Sequence, residues 1–224
     1  MNAEKRLAAE RAVEYVQDGM VVGLGSGSTA AYAVKKLGER VRNGLSIRGI
    51  PTSESTRQLA EAEEIALTDF KTVSAIDLTI DGADEVDPDL NLIKGGGAAL
   101  LREKIVSAAS RENVIIVDSS KTVKRLGAFP LPVEVIPSGW QTVARRIDAL
   151  GGNPELRLKD GSPLVTDQGH WILDCAFGTI SDAVGLELTL NNLPGGVENG
   201  LFIKHCTRLV LAQGQELVIR ERTP

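Results

Sequence analysis

The residues 81–104, DGADEVDPDLNLIKGGGAALLREK, hold the parts of an acid–base site. Asp81 and Asp84 stand three apart, Lys94 directly precedes Gly95, Gly96 and Gly97, and Glu103 follows. Carboxylates at such a place can give and take protons. Adjacent glycines are entropically costly in a folded chain, so this run implies backbone that approaches something closely or exposes its amides. Lys94 adds a point positive charge at the same place. A helix from about Ala98, turning about 100° per residue, flanks Glu103 with Ala99, Leu100, Val106 and Ser107. A carboxylate held against mainly apolar neighbours has a raised pKa and suits a general base near neutrality. The plainer reading of Glu103 is an exposed glutamate paired along its helix with a Lys or Arg, and periodicity alone leaves both open.

A second motif, GLGSGSTAAY at residues 23–32, puts glycines and hydroxyls between an apolar run and a helix pattern. Gly27 and its neighbours permit close backbone approach, and Ser26, Ser28 and Thr29 place hydroxyls where the unpaired amides of the helix point. That makes an anion site or a Ser/Thr-capped turn. It is not a dinucleotide fingerprint, since Ser28 stands where the third glycine belongs, and no Walker lysine follows. A third segment, IIVDSSK, runs into Lys121, which either neutralises a ligand phosphate or is simply solvated. Loop aspartates are commonly turn or cap residues, and Glu85, Asp87 and Asp89 are assigned to that role.

The elements that must position these groups alternate. An opening helix over about residues 3–18 is followed by the strand MVVGLG, the helix STAAYAVKKLGERVRNG, a strand in LSIRGIPTS, the helix ESTRQLAEAEE and the strand AIDLTIDGAD. The helix AALLREKIVSAASRE and the strand NVIIVDSS complete the series. This is an α/β chain: a Rossmann-like, mostly parallel sheet covered by helices on both faces. In such a sheet the ligand crevice lies outside the carboxyl ends of the strands, so the serine–glycine loop, Asp81 with Gly82 as its tight turn, and Lys121 are expected to face one site. From residue 129 the order becomes βαββαβ, a smaller ferredoxin-like α+β domain over 129–203. The larger domain is expected over 1–128 and 204–224, with TRLVLAQGQELVIRER returning to its sheet as a hairpin.

Composition narrows the function. The 224 residues carry a net charge of -5, which argues against binding to a nucleic-acid backbone. Cys175 and Cys206, the two cysteines, have no metal-ligand spacing and read as reduced thiols. His170 and His205 lie outside every motif and read as structural or exposed. No apolar run has the length of a signal or membrane segment, so a soluble, cytoplasmic protein is expected.

GLGSGSTA, DGADE, KGGGAALLREK, DSSK and LPVEVIP, in this order, resemble ribose-5-phosphate isomerase of the A type, from the first helix to the final hairpin. The resemblance implies interconversion of ribose 5-phosphate and ribulose 5-phosphate in the pentose phosphate pathway, without metal or organic cofactor, in a homodimer or homotetramer. It implies Glu103 as proton carrier, Ser26, Gly27, Ser28, Thr29 and Lys121 as substrate-holding residues, and Asp81, Gly82, Ala83, Asp84, Lys94, Gly95, Gly96 and Gly97 at the reacting end. Lys94 and the glycine amides would steady the enediolate, and Asp81, assisted by Asp84, would open the sugar ring. Ser26 stands where threonine is frequent, and GGVENGLF departs from the usual end of the small domain. A sugar-phosphate sensor would not require Glu103 on an apolar helix flank, and an acyl-carrying transferase would need a larger cleft.

Overall fold

Short β-branched runs bounded by glycine, proline or aspartate make the strands, and amphipathic stretches between them make the helices. A computed structural model describes residues 2–222. In chain order the elements are α1 (Asn2–Val13), β1 (Val21–Leu24), α2 (Gly27–Arg42), β2 (Arg48–Pro51), α3 (Glu54–Ala62), β3 (Ile76–Asp81), β4 (Glu85–Val86), β5 (Leu92–Ile93), α4 (Leu100–Ala108) and β6 (Ser110–Asp118). There follow β7 (Leu131–Val135), α5 (Trp140–Ala149), β8 (Pro154–Leu156), β9 (Leu158–Lys159), β10 (Ser162–Pro163), β11 (Trp171–Cys175), α6 (Ala183–Asn191), β12 (Gly196–Asn199), β13 (Leu201–Phe202), β14 (Arg208–Gln213) and β15 (Glu216–Glu221).

Among the described residues, one compact unit takes in 2–83, Arg102–Thr122 and 204–222. Its six-stranded sheet has the order β15-β14-β6-β3-β1-β2. All neighbours in it are parallel except the terminal hairpin β14–β15, so the sheet and the returning tail are as the sequence patterns predict. Parallel pairing puts the carboxyl ends on one edge: Leu24 of β1 lies opposite Pro51 of β2 and Ile80 of β3. Val22 and Leu24 pack with Ala8, Ala12, Val34 and Leu37 of α1 and α2, while Val21 packs with Val106 of α4. α4 is shorter than predicted at both ends. Ala98 has a left-handed φ of 62°, which no helix continues, and Ser110 is taken by β6, where it pairs with Ile76.

The second unit comprises Asp84–Leu101 and Val123–Ile203. Its four-stranded antiparallel sheet runs β12-β7-β11-β8, which places the strands of the βαββαβ series in the order fourth, first, third, second. That is the ferredoxin-like arrangement. The hairpin β9–β10 is inserted in it, turning at Asp160 and Gly161 with φ of 53° and 78°. A further small sheet, β13-β5-β4, draws residues 84–101 into this unit, whereas the sequence patterns group them with the first domain. The cause is long-range pairing: Leu92 and Ile93 bond to Phe202 and Leu201, and Ile93 and Leu201 are fully buried with Leu131 and Val133.

Candidate active site

In the first unit, Gly25 leaves β1 so close to β3 that a Cβ there would fall 2.2 Å from Oδ1 of Asp81. Only glycine fits. The same Oδ1 accepts the amides of Ser26 at 3.1 Å and Gly82 at 2.8 Å, so the buried Asp81 carboxylate is held in one orientation at the strand end. Gly82, read as a tight-turn glycine, has an ordinary φ and room for a Cβ, and the turn does not require it. Ser26 caps α2 with extended backbone but turns its hydroxyl inward, 2.7 Å from both Thr52 Oγ1 and Ser53 Oγ. Thr56 Oγ1 closes this cluster by donating to the Gly25 carbonyl at 3.0 Å. Ser26 thus fixes the loop, whereas its hydroxyl was expected among the groups that meet the ligand.

Gly27 takes the positive φ of 88° that turns the chain into the 16-residue helix α2, whose first-turn amides lie at Ser28 and Thr29. Gly27 and Ser28 are exposed. Lys5, from the first turn of α1, donates from Nζ to Ser28 Oγ at 3.0 Å and adds a cation beside these amides. Sequence reading missed Lys5, because a lysine in an opening helix has no local signature and its partner is 23 residues away. Its neighbour Glu4 accepts the Gly214 amide at 2.7 Å and the Ser119 hydroxyl at 3.1 Å. Those bonds, the Gly214 amide first, hold the Glu4 carboxyl below the usual carboxylate range. Asp118 caps the short turn Ser119–Lys121 by accepting the Ser120 amide at 3.0 Å, which sets the half-buried Lys121 at the end of β6. An ammonium group, helix amides and hydroxyls are the kinds of group that can hold a phosphate.

Glu103 lies on α4 and is only 6% exposed; Ala99, Leu100 and Val106, its neighbours by helix spacing, are buried as well. One turn on, Ser107 Oγ is 2.8 Å from His205 Nδ1, so this histidine is a structural partner of the helix. Gly23 of β1 lets α4 lie against the sheet: a Cβ at Gly23 would stand 2.7 Å from Val106. Glu103 is a shielded carboxylate rather than a surface one.

In the second unit, Asp84 bonds its amide to the Ile93 carbonyl at 2.8 Å and accepts the Gly96 amide on Oδ2 at 2.8 Å. Gly95 needs a positive φ of 105°, and a Cβ at Gly96 would meet Asp84 Oδ1 at 2.7 Å, so two of the three glycines are obligatory. Gly97 has nothing within 4 Å of the place a Cβ would take. Lys94 is 3% exposed, with Nζ 5.5 Å from the Phe202 ring centroid, a buried cation beside a π face. Ala83 links the two units in sequence and is partly buried.

Glu85, assigned to a solvated turn, is instead 3% exposed, and its carboxylate accepts the amides of Gly127 at 2.7 Å and Phe129 at 2.6 Å. Burial forces that pairing. His170 Nδ1 sits 3.0 Å from Oε1 of the buried Glu134, away from every candidate catalytic residue in sequence. Among the described residues no group of three His, Cys, Asp or Glu side chains is placed to hold a metal ion, and no helix is long and apolar enough to cross a membrane.

Residues 48–216 match the family model for ribose 5-phosphate isomerase A, or phosphoriboisomerase A. A ribose-5-phosphate isomerase A from Gloeobacter violaceus is 56% identical over 210 residues, covering 93% of this chain and 91% of that one. The solved ribose 5-phosphate isomerase A of Methanocaldococcus jannaschii is 43% identical, with a TM-score of 0.94 over 99% of this chain and 100% of that one. A solved D-ribose-5-phosphate isomerase in complex with phospho-erythronic acid is 40% identical, with a TM-score of 0.96 over 98% of both chains.

Proposed function

The chain belongs to the ribose 5-phosphate isomerase A family and is an isomerase of ribose 5-phosphate and ribulose 5-phosphate, and from that premise we propose how its residues divide the work. Glu103 takes the C2 proton of the open-chain aldose. The electron pair of that C–H bond forms the C1=C2 double bond, and the carbonyl oxygen O1 takes up the negative charge. The O2 proton passes to O1, Glu103 returns its proton to C1, and the charge on O2 collapses to the ketone. Lys94 and the amides of Gly95, Gly96 and Gly97 steady the two oxygens while the charge is on them. Asp81, assisted by Asp84, moves the protons that open the furanose, with Gly82 and Ala83 as the backbone that spaces these two acids. The phosphate is held by the α2 amides and hydroxyls at Gly27, Ser28 and Thr29, by Lys5 and by Lys121, while Ser26 locks that loop. Remote binding of this kind orients the reacting carbons.

One observation carries the reading: a carboxylate 6% exposed, on a helix of the unit that also carries the phosphate-type loop. Shielding from water keeps solvent from competing for the proton that such a group carries, which suits it to proton transfer from carbon. The phospho-erythronic acid held by the solved relative supports the same route, since its planar carboxylate imitates the trigonal carbon and paired oxygens of an enediolate. Cytoplasmic residence, a homodimer or homotetramer, and a reaction without metal belong to this proposal on family grounds. An isomerisation assay with ribose 5-phosphate in excess chelator tests it. Undiminished conversion is the expected result, and loss of activity restored by added divalent metal would overturn the metal-free part.

A further inference from the structure

Arg157 carries no motif, yet it bonds to the triglycine turn from 61 and 62 residues away, sharing the Gly95 carbonyl with the Ala98 amide at 3.0 Å. It lies between β8 and β9, where its amide donates to the Ile172 carbonyl at 2.8 Å and its carbonyl accepts the Leu164 amide at 2.9 Å. The side chain is 13% exposed and uses three nitrogens. Nε and Nη2 donate to the two oxygens of Asp174 at 2.8 and 2.5 Å, a bidentate fork that fixes the guanidinium plane. Nη1 donates to the Gly95 carbonyl at 2.9 Å and reaches the Gly96 carbonyl at 3.3 Å.

Peptide planarity turns those contacts into a statement about amides. In a trans peptide the C=O and the N–H point in opposite directions, and no peptide among the described residues is cis. The Gly95 carbonyl faces Arg157, and the N–H of the same peptide, on Gly96, accordingly reaches Asp84 Oδ2 at 2.8 Å on the other side. The next peptide also turns its carbonyl to Arg157. Its N–H, on Gly97, is therefore directed to the side on which the Asp84 carboxylate lies, at an exposed residue with open space around it.

We propose that Arg157, aligned by Asp174, is a positioning residue for the isomerisation: it turns the Gly95 and Gly96 carbonyls to itself and so aims the Gly97 amide at the substrate oxygen that gains charge. Its cation also polarises both peptides and strengthens their N–H groups as donors. The inference rests on the reading that the triglycine amides serve the enediolate oxygens. Lysine is no substitute, because a point charge lacks the fork that engages Asp174 and two carbonyls together.

The test is steady-state kinetics on Arg157→Lys, Arg157→Met and Asp174→Asn, with inhibition by phospho-erythronic acid and by inorganic phosphate. We expect kcat to fall about 10-fold in Arg157→Lys and Asp174→Asn and about 100-fold in Arg157→Met, within the range for a displaced oxyanion donor. KM should stay within about twofold, phospho-erythronic acid should weaken in step with kcat/KM, and inorganic phosphate should bind as in the unaltered enzyme. Should Arg157→Met fail to fold, the Lys and Asn variants decide. Unaltered kcat in all folded variants, or a loss confined to KM and phosphate inhibition, overturns the inference while leaving the isomerase reading intact. An unaltered enzyme that does not convert ribose 5-phosphate defeats that reading instead.

Discussion

Two glycine-rich turns serve this molecule, and they are built differently. The turn at residues 25–29 feeds the helix α2, so its donors follow from local geometry: amides that no helix can pair internally. The turn at residues 94–98 closes with the amide of the left-handed Ala98 on the Gly95 carbonyl at 3.0 Å before α4 begins at Leu100, and distant side chains bond to it as well, Asp84 on the amide side and Arg157 on the carbonyl side. A helix terminus offers a generic cradle suited to a phosphate, whereas a clamped turn directs one or two N–H groups at one atom. The first should govern affinity and the second rate.

That contrast can be broken or sharpened by substitution. Gly96→Ala, whose Cβ would meet Asp84 Oδ1 at 2.7 Å, should cost about 100-fold in kcat with little change in KM. A KM effect of the same size would place binding, not rate, on the clamped turn. Gly25→Ala forces a methyl group against Asp81 and should destabilise the protein by about 1–3 kcal/mol, read as a lowered Tm. Wild-type stability there would mean that the strand end yields. Lys121→Ala should raise KM for ribose 5-phosphate about 10-fold, about 1.4 kcal/mol, and leave free ribose unaffected. An equal loss toward both sugars removes the phosphate role. Ser26→Ala, which empties the hydroxyl cluster with Thr52 and Ser53, should cost about 1 kcal/mol of stability with KM nearly unchanged. A KM increase without a stability loss would return its hydroxyl to the ligand.

The smallest effect concerns the thiols. Burial pushes Cys206 up to about 12 from an ordinary 9.0, and raises Cys175 as well. A raised folded value means that the unfolded chain releases its proton first, so the contribution to stability is full below pH 9 and declines as pH climbs toward 12. Iodoacetamide at pH 8 should label neither cysteine in the folded protein and both after denaturation, as mass spectrometry will show.

The sequence was legible where structure follows from neighbours. The strand, glycine turn and helix over residues 21–42 form one apolar run, one positive φ and one amphipathic stretch, and the βαββαβ order was readable for the same reason. Helix periodicity put Glu103 among apolar neighbours but left its exposure open, and its burial in the fold decides between the two readings. What escaped was long-range. Residues 84–101 join the second unit because β5 pairs with Leu201 and Phe202, more than a hundred positions on, and no local pattern encodes a partner so distant. Glu85 appeared to be another loop acid because its two amide donors lie 42 and 44 residues downstream. Lys5 and Arg157 escaped for the same reason: each is one more cation on its own element until the fold brings a hydroxyl or two carbonyls to it.

The central claim is that one shielded carboxylate carries the proton between C1 and C2, and hydrogen exchange in heavy water tests it most directly. With ribose 5-phosphate in D2O, the unaltered enzyme should place deuterium on the migrating carbon position, followed by NMR. Glu103→Gln should slow that exchange by about two to four orders of magnitude, the range for a lost general acid–base group, while still binding phospho-erythronic acid. Exchange at the unaltered rate in Glu103→Gln would show that another group moves the proton.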